Sequence, residues 1–490
     1  MKILLFSVNL IFIIFSSSSA FPQPANAILN KDTLVNKISI DEIKKDIAEG
    51  LIFLADSQKK ETTGFASYKG EWPSYISLRT RHLVVGSGTY YDANAFGVIS
   101  VHNILSELYL MYPEYSSILP MLDPAIKLIL EYRTDSSGTY GFWHSAPPYQ
   151  TLRSTDIPGK EPFIKRPSTF PLNSKFANNA VNVVDDADDQ ALATQAILLY
   201  NTVMKKSGQA QKVLQLPDSI GKPFEKYRDV HRKNILPYDL INGANINTGA
   251  YFTWFGNEHE YDFPEAVFYP FQYMFFFLPS SPVHPQPYDP KMPYWTNDVD
   301  VVVNANVLTM LADFKLLNST EGVKDAFKYL TEKIRSGNFN KASIYYSNRY
   351  HFHYAVSRTF AATKGNSLQE AAELLIDDLK KTQRGDGSWA SRKIINKKDI
   401  IQSTANGLMA LLNFGDYKKN NTLENINHAI IFLHKNSVEK NGSRYWRGGV
   451  YFSGGMNLRN TLWWKSDSYT TALIIHAFAK YRKFLENQKD

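Results

Sequence analysis

The chain has 490 residues, of which 44% are hydrophobic and 14% are aromatic. This apolar content supports a large packed core and excludes an intrinsically disordered protein. The chain contains no cysteine, which excludes disulfide bonds, thiolate zinc sites and cysteine nucleophiles. Its net charge of +7 is small for this length. The scattered basic residues form no nucleic-acid-binding motif, so no nucleic acid is expected as a partner.

Residues 1–27 have the pattern of a secretory signal peptide. Lys2 precedes an apolar stretch, 3–15, and Ala25-Asn26-Ala27 supplies small residues for cleavage. The stretch is shorter than the roughly 20 residues that span a bilayer. We therefore expect an exported protein, periplasmic or secreted, whose residues 28–490 form a single domain. An earlier cleavage site and an uncleaved anchor are the alternatives.

Segments with helical apolar spacing recur along the rest of the chain, and they alternate between two kinds. Segments of the first kind carry a wide charged face, which predicts helices that touch solvent on one side. Segments of the second kind are rich in Ala, Leu and Ile, which predicts buried helices. The first kind covers 41–57, 118–133, 222–238, 323–336, 368–382 and 423–436, and the second covers 92–109, 186–204, 298–314, 353–362, 403–414 and 468–484.

Six amphipathic segments alternating with six apolar ones predict an all-α (α/α)6 toroid, in which six outer helices cover six inner ones. Few strand signals appear, so α/β folds are disfavoured. The inner helices of such a ring run parallel, and their N-termini meet at one mouth. Two long loops, 141–184 and 242–297, each lead into an inner helix, so both are expected at this mouth.

An acidic cluster marks the predicted start of the second inner helix, where Asp185, Asp186, Asp188 and Asp189 occur within five residues. The helix dipole favours each carboxylate by only about 0.3–1 kcal/mol, too little to keep all four ionised in a confined mouth. At least one pKa should rise, which places a neutral acid beside ionised partners. This arrangement suits general-acid catalysis.

The same cluster is open to two other interpretations. Carboxylate oxygens are the ligands that magnesium and calcium prefer, so Asp185, Asp186 and Asp189 are a minor candidate cation site. A solvated first turn with a good N-cap explains the acids without any site.

Other polar and aromatic residues near the predicted inner-helix starts are candidate substrate-binding residues. Imidazoles can shuttle protons or ligate a metal, although histidines at i and i+2 do not share a helix face. Aromatic rings can stack on a sugar or cover a hydrocarbon, and core packing is the alternative for each. The candidates are Tyr91, Asp92, Trp143, His144, Asp300, His351, His353 and Trp464.

A mostly apolar and aromatic run extends from Val267 to Leu278 and is interrupted by Pro270. It is a candidate for peripheral membrane contact or for a cavity cover, and a core segment beneath a long loop is the alternative.

Three motifs resemble the terpenoid cyclase and protein prenyltransferase superfamily, whose barrels are (α/α)6 toroids. Asp186-Ala187-Asp188-Asp189 has the D-x-D-D form of class II, squalene-hopene-cyclase-like enzymes, in which an aspartic acid protonates an alkene. Gln383-Arg384-Gly385-Asp386-Gly387-Ser388-Trp389 resembles the QW motif, which locks successive outer helices together. Asp298-Val299-Asp300 resembles the acidic starts of other repeats in these proteins.

The resemblance implies a catalytic cluster of Asp186, Asp188 and Asp189, with Asp188 as proton donor and the other two holding it in its acidic state. It implies acid-initiated chemistry on an apolar isoprenoid, with no cofactor. The sequence departs from the motif at Gln190-Ala191, where family members usually have Thr-Ala. The zinc chemistry of protein prenyltransferases requires a cysteine that the chain lacks.

Two further classes of function stay open because a fold alone does not decide function. Toroids of this kind recur among exported polysaccharide lyases and hydrolases, and a carboxylate mouth with Tyr, His and Trp suits a glycan. A non-catalytic toroid that binds a partner is the third possibility.

We predict that the exported protein begins at Ile28, because the small residues of Ala25-Asn26-Ala27 match the cleavage pattern. N-terminal sequencing of protein recovered from outside the cytoplasm measures this directly. Recovery of the chain with residues 1–27 still attached would contradict the prediction.

Overall fold

The computed structural model describes residues 38–79, 88–148, 163–171, 178, 181–232, 247–256, 290, 292, 297–337, 342–365, 367–391, 399–459 and 461–488. They belong to a compact unit, Lys37–Asp490. The proposed signal peptide and the run from Val267 to Leu278 lie outside the described residues. Within the described part, none of the helices combines the length and the hydropathy needed to cross a membrane.

Twelve helices of the described chain alternate between outer and inner positions, and we number them in chain order, so that odd numbers are outer. They are α1 Ile40–Ser57, α2 Ala95–Met111, α3 Leu119–Glu131, α4 Ala187–Lys206, α5 Lys222–Lys226, α6 Val301–Asp313, α7 Val323–Arg335, α8 Arg349–Ala362, α9 Gln369–Thr382, α10 Ile400–Phe414, α11 Leu423–Lys435 and α12 Asp467–Glu486.

The inner helices form a closed ring. Each packs on its two inner neighbours, and α12 packs on α2. Their N-terminal ends meet at one mouth, where the ring of Phe96 in α2 contacts His351 of α8 and Tyr469 of α12. Outer helices cover the seams, as α3 does against α2 and α4. The predicted (α/α)6 toroid is confirmed.

Sequence composition explains why the even-numbered helices are inside. Small residues such as Ala191, Ala193 and Ala196 of α4 are fully buried, and they let neighbouring backbones approach closely. The outer helices keep the amphipathic pattern, and α1 begins with a capping box in which Ser39 and Glu42 bond each other's backbone N–H.

The third outer helix is much shorter than predicted, because it ends at Lys226 rather than continuing to residue 238. The next residues pair instead with an extended segment of the second long loop. Asp229 N–H donates to the carbonyl of Ala250 at 2.9 Å, and Phe252 N–H donates to the carbonyl of Tyr227 at 3.0 Å. Backbone groups engaged in this way cannot form helical bonds.

A small antiparallel sheet at the mouth was not predicted from the sequence. The strands of the described chain are β1 Tyr75–Leu78, β2 Gly88–Tyr91, β3 Ser145–Ala146, β4 Ile164–Lys165, β5 Val438–Lys440, β6 Ser443–Tyr445, β7 Val450–Ser453 and β8 Leu462–Lys465. The strand order of the sheet at the mouth is β2-β1-β8-β7, and its strands β2 and β8 lead directly into α2 and α12. Two further strand pairs, β3 with β4 and β5 with β6, are short.

The segment that resembles the QW motif connects two outer helices, α9 and α11. Gln383 Nε2 donates to the carbonyls of Gly387 and Asn425, both at 2.9 Å. Trp389 is fully buried and donates through Nε1 to Leu379. Gly387 has φ +85°, and a Cβ there would lie 2.5 Å from the carbonyl oxygen of His428. Only glycine fits this close approach.

The same lock recurs between α1 and α3. Gln58 Nε2 donates to the carbonyls of Gly70 at 2.9 Å and Met121 at 2.8 Å, and Trp72 Nε1 donates to Leu54 at 2.9 Å. Here the glutamine and the glycine are separated by a longer loop, so a search with fixed spacing does not find the motif.

We predict that Gln383→Ala lowers the free energy of unfolding by about 1–2 kcal/mol, because two carbonyls lose their donor. Urea denaturation followed by circular dichroism measures the change. Gln369→Ala is the matched control, since Gln369 lies exposed on the same helix and bonds only Glu373; its effect should stay within about 0.5 kcal/mol. Equal effects of the two substitutions would contradict the lock.

Candidate active site

Two cavities occupy the mouth and the interior of the toroid. The first, which we call the mouth cavity, is lined mostly by aromatic rings and three carboxyl groups. The second, the axial cavity, follows the inner face of α2 from Phe96 to Glu107. Phe96 lines both cavities. The carboxyl groups of the mouth cavity belong to Asp186, Asp188 and Asp189.

Asp186 is the N-cap of α4. Its Oδ1 accepts a hydrogen bond from the backbone N–H of Asp189 at 2.8 Å. The long loop 242–297 fixes this turn from outside, because Ala187 N–H donates to the carbonyl of Thr253 at 2.8 Å. Burial raises the pKa of Asp186 to about 7, although the hydrogen bonds from Asp189 oppose this shift. The cap therefore sits near its titration point at neutral pH.

Asp188 projects from the first turn of α4 to the boundary between the two cavities. Its Oδ1 accepts from Asn306 Nδ2 of α6 at 2.7 Å, and its Oδ2 contacts the hydroxyl of Tyr346. Burial raises the pKa of Asp188 well above its ordinary value, and the charge of Asp186 adds to the shift. Both effects favour the neutral acid over the carboxylate.

Asp189 completes the cluster. Neither oxygen of its carboxylate has a hydrogen-bond partner in the described part of the chain. Burial raises the pKa of Asp189 well above its ordinary value, and the charges of Asp186 and Asp188 add to this shift. The ionisation of Asp189 is therefore linked to the charges of its two neighbours.

Asp185, the fourth acid, turns away from the cavity. Its carboxylate pairs with Lys165 and accepts from Thr139 at 2.6 Å and from Ser137 at 3.0 Å. Among the described residues, no group of three or more His, Asp or Glu side chains is placed to hold a metal ion.

Asp92 and its neighbours form a separate buried group beside the mouth cavity. Its carboxylate accepts from Trp464 Nε1 at 2.7 Å, from Trp143 Nε1 at 3.1 Å and from Ser168 N–H at 3.1 Å. Tyr91 donates to Glu71 at 2.6 Å. These predicted substrate-binding side chains tie loops to the sheet and line neither cavity.

Asp300 has a similar place in the fold. One carboxylate oxygen caps α6 through Val302 and Val303, at 2.6 and 3.2 Å. The other accepts from the backbone N–H groups of Ile344 and Tyr345, at 2.5 and 3.1 Å. Asp300 thus fastens the segment before α8 rather than lining a cavity.

The three predicted histidines lie in different places. His351 stacks on Tyr346 at 4.5 Å between ring centroids and lines the axial cavity. His353 is buried and faces the outer helix α9, with its Nε2 2.8 Å from Asp378. His144 lies between two tyrosine rings, and burial lowers its pKa to about 4. Among the predicted substrate-binding residues, only His351 lines either the mouth cavity or the axial cavity.

Several cavity residues were missed from the sequence. Tyr346, Trp254 and Phe452 belong to loops and to the unpredicted sheet. Asn306 and Arg358 interrupt apolar inner helices, and this interruption is the signal that could have found them, since polar side chains inside such a ring need a partner.

This geometry can perform one kind of chemistry directly. A neutral carboxyl group at a buried, mainly aromatic cavity can donate a proton to an apolar molecule. The surrounding rings present negative faces that attract a developing cation. Phe142 stacks on Phe452 at 5.0 Å, and Trp254 packs edge-on against Tyr345 at 5.6 Å on the opposite loop.

Fold and site together define an (α/α)6 toroid with a buried acidic cluster at the mouth of its inner ring. No protein-family model matches the chain, and no curated protein sequence matches it. Solved structures match its fold. The type II terpene cyclase MstE from Scytonema, solved with its product merosterolic acid A, is 13% identical with a TM-score of 0.51, over 91% of this chain and 98% of that one.

Two other solved structures cover similar shares. A protein from Actinoplanes is 13% identical with a TM-score of 0.49, over 89% of this chain and 99% of that chain. A cellobiose 2-epimerase from Bacillus thermoamylovorans is 12% identical with a TM-score of 0.45, over 90% of this chain and 99% of that chain. At these identities the comparisons establish the fold.

We predict that Asp186→Asn stabilises the protein at high pH. The pKa of Asp186 is raised in the folded state, so its ionisation between pH 4 and about 7 destabilises the native protein. Asparagine caps a helix as well as aspartate and cannot ionise. The gain in free energy of unfolding should be small at pH 4 and on the order of 2 kcal/mol at pH 8, measured by urea denaturation. A gain that does not grow with pH would contradict the raised pKa.

Proposed function

We propose that the protein protonates a carbon–carbon double bond of an apolar isoprenoid, and that the resulting cation cyclises before it loses a proton. The observation that carries the proposal is the buried Asp188 carboxyl at an aromatic cavity, where its raised pKa favours the neutral acid. The D-x-D-D motif supports it independently. The fold is compatible with such a ligand, because MstE was solved with its terpenoid product bound.

Hydrogen bonding favours one oxygen of Asp188 as the proton carrier in the proposal. Arg358 donates to Asn306 Oδ1 at 3.2 Å, and because arginine can only donate, the Asn306 amide nitrogen must face Asp188. The Oδ1 of Asp188 is therefore an acceptor. We assign the proton to Oδ2, which requires the Tyr346 hydroxyl, a donor to Oδ2 in the structure, to rotate. From Oδ2 the proton can reach a double bond in the mouth cavity.

The same partners stabilise the carboxylate that remains after transfer. Asn306 keeps donating to Oδ1, and the Tyr346 hydroxyl can turn to donate to Oδ2. Hydrogen bonds to an ionised acceptor are roughly twice as strong as neutral ones. They lower the free energy of the ion pair formed by the carboxylate and the carbocation. The final loss of a proton makes the product an isomer of the substrate.

Asp186 and Asp189 support this step electrostatically in the proposal. The charge of Asp186 raises the pKa of Asp188, and burial raises the pKa of Asp189, which limits the total charge of the cluster. The reaction needs no metal or organic cofactor. If the predicted signal is cleaved, it takes place in the periplasm or outside the cell.

We expect Asp188→Asn to lower turnover by at least about 100-fold, because asparagine keeps the hydrogen bonds but has no acidic proton. The substrates are farnesol, geranylgeraniol and squalene, incubated with exported protein in D₂O and analysed by mass spectrometry. Wild-type product should gain one deuterium per substrate, and the conversion should persist in EDTA. Asp135→Asn, at an exposed acid outside both cavities, is the control and should retain wild-type turnover.

An Asp188→Asn protein that still converts an isoprenoid would end the assignment of the proton donor. Cleavage of a polysaccharide panel without conversion of isoprenoids would favour the glycan interpretation. Metal-dependent stabilisation that Asp188→Asn removes would indicate a cation site instead.

A further inference from the structure

The axial cavity differs from the mouth cavity in its chemistry. Its wall carries a cation, a carboxylate, an imidazole and two amides beside the apolar residues. Protein partners satisfy several of these groups, but His351 Nδ1 has no partner among the described residues, and a purely hydrocarbon substrate would leave it so. The polar groups are Arg358, Glu107, His351, Asn103 and Asn306.

Arg358 is the central group. It lies on the inner face of α8 and donates to Asn306 Oδ1 at 3.2 Å and to Gln195 Oε1 at 2.8 Å. Both acceptors are neutral, and Arg358 forms no ion pair with any described residue. Arg358 is half-buried, and a guanidinium withdrawn from water is normally paired with an anion. It also has five N–H donors in a planar fork, so donors remain for a further ligand.

The charges near Arg358 disfavour a highly charged ligand. Glu107 lines the same cavity, 3.6 Å from His476 Nε2. Asp313 accepts from Gln195 at 2.5 Å, and Lys480 donates to Asn413 at 2.7 Å. In their ionised forms Arg358, Lys480, Glu107 and Asp313 carry no net charge. A diphosphate would therefore add more unbalanced negative charge than a carboxylate, and a planar carboxylate also matches the Arg358 fork.

His351 provides a second, independent observation. Its ring is buried and lines the axial cavity, yet its Nδ1 has no hydrogen-bond partner in the described part of the chain. Burial lowers the pKa of His351 to about 3, so the ring is neutral. A neutral imidazole nitrogen can donate to or accept from a polar ligand without adding charge.

We infer that the axial cavity binds the carboxylate end of the substrate through Arg358, so that the substrate is an isoprenoid acid. Phe96 lines both cavities, and Asn306 connects Arg358 to Asp188. A molecule with its carboxylate on Arg358 and its chain past Phe96 therefore reaches the acid with a double bond. The inference deepens the proposed function. It rests on that function for the claim that the double bond is the end that reacts at Asp188.

The experiment compares two ligands that differ only at the polar end. Farnesoic acid and farnesol are titrated into the exported protein at pH 8, where the acid is ionised, and binding is followed by quenching of tryptophan fluorescence. The wild-type protein should bind the acid at least about tenfold more tightly than the alcohol, as expected for a charge-assisted bond.

Three substitutions separate charge from structure. Arg358→Gln should abolish the preference for the acid, and Arg358→Lys should retain part of it, since lysine keeps the charge without the fork. Glu107→Gln should increase the preference, because it removes a like charge from the cavity. Arg335→Gln is the control, since Arg335 is an exposed residue paired with Glu370, and it should leave the preference unchanged.

The inference is overturned if the wild-type protein binds acid and alcohol equally, or if Arg358→Gln keeps the preference. Melting curves check that each variant is folded. If Arg358→Gln unfolds, Glu107→Gln still tests the inference, because it is expected to increase the preference for the acid rather than abolish it. Binding is measured without turnover. A protein that prefers the acid but protonates nothing would refute the proposed function and leave the carboxylate site standing.

Discussion

The parallel packing of six inner helices is the constraint on which the rest of the structure depends. It brings the N-terminal ends together at one buried mouth, where the first N–H groups of each helix need acceptors. Aspartate, asparagine and serine side chains supply them, and burial makes each ionised cap costly unless donors surround it. The mouth therefore contains many carboxylates, and their hydrogen bonds distinguish them.

The number of donors separates structural acids from candidate catalytic ones. Asp300 accepts from four backbone N–H groups, and its pKa is raised only to about 6. Asp92, with three donors within 3.1 Å, is also raised to about 6. Asp189 has none among the described residues, and its pKa rises much further. Structural acids such as Asp300 and candidate catalytic acids such as Asp189 thus occupy equivalent places in the repeat.

The two cavities divide the interior by polarity. Aromatic residues from the loops and the small sheet close the mouth cavity around the acidic cluster, whereas polar side chains of the inner helices line the axial cavity. Asn306 lies between them and contacts both Asp188 and Arg358. One amide thus couples the proposed proton donor to the proposed carboxylate site, because the guanidinium determines which way the amide points.

Apolar periodicity in the sequence by itself determined the double ring, because helices apolar on all sides must lie inside amphipathic ones. It also determined that Asp186, Asp188 and Asp189 start an inner helix, whereas the contact made by Gln383 and Trp389 was expected only from the resemblance to the QW motif. It could not separate Asp92 or Asp300 from the candidate catalytic acids, because their partners, such as Trp464 and Ile344, are distant in sequence. Only the tertiary structure brought Arg358 next to Asn306 and left the guanidinium without an ion-pair partner among the described residues, since that depends on which side chains meet inside the closed ring.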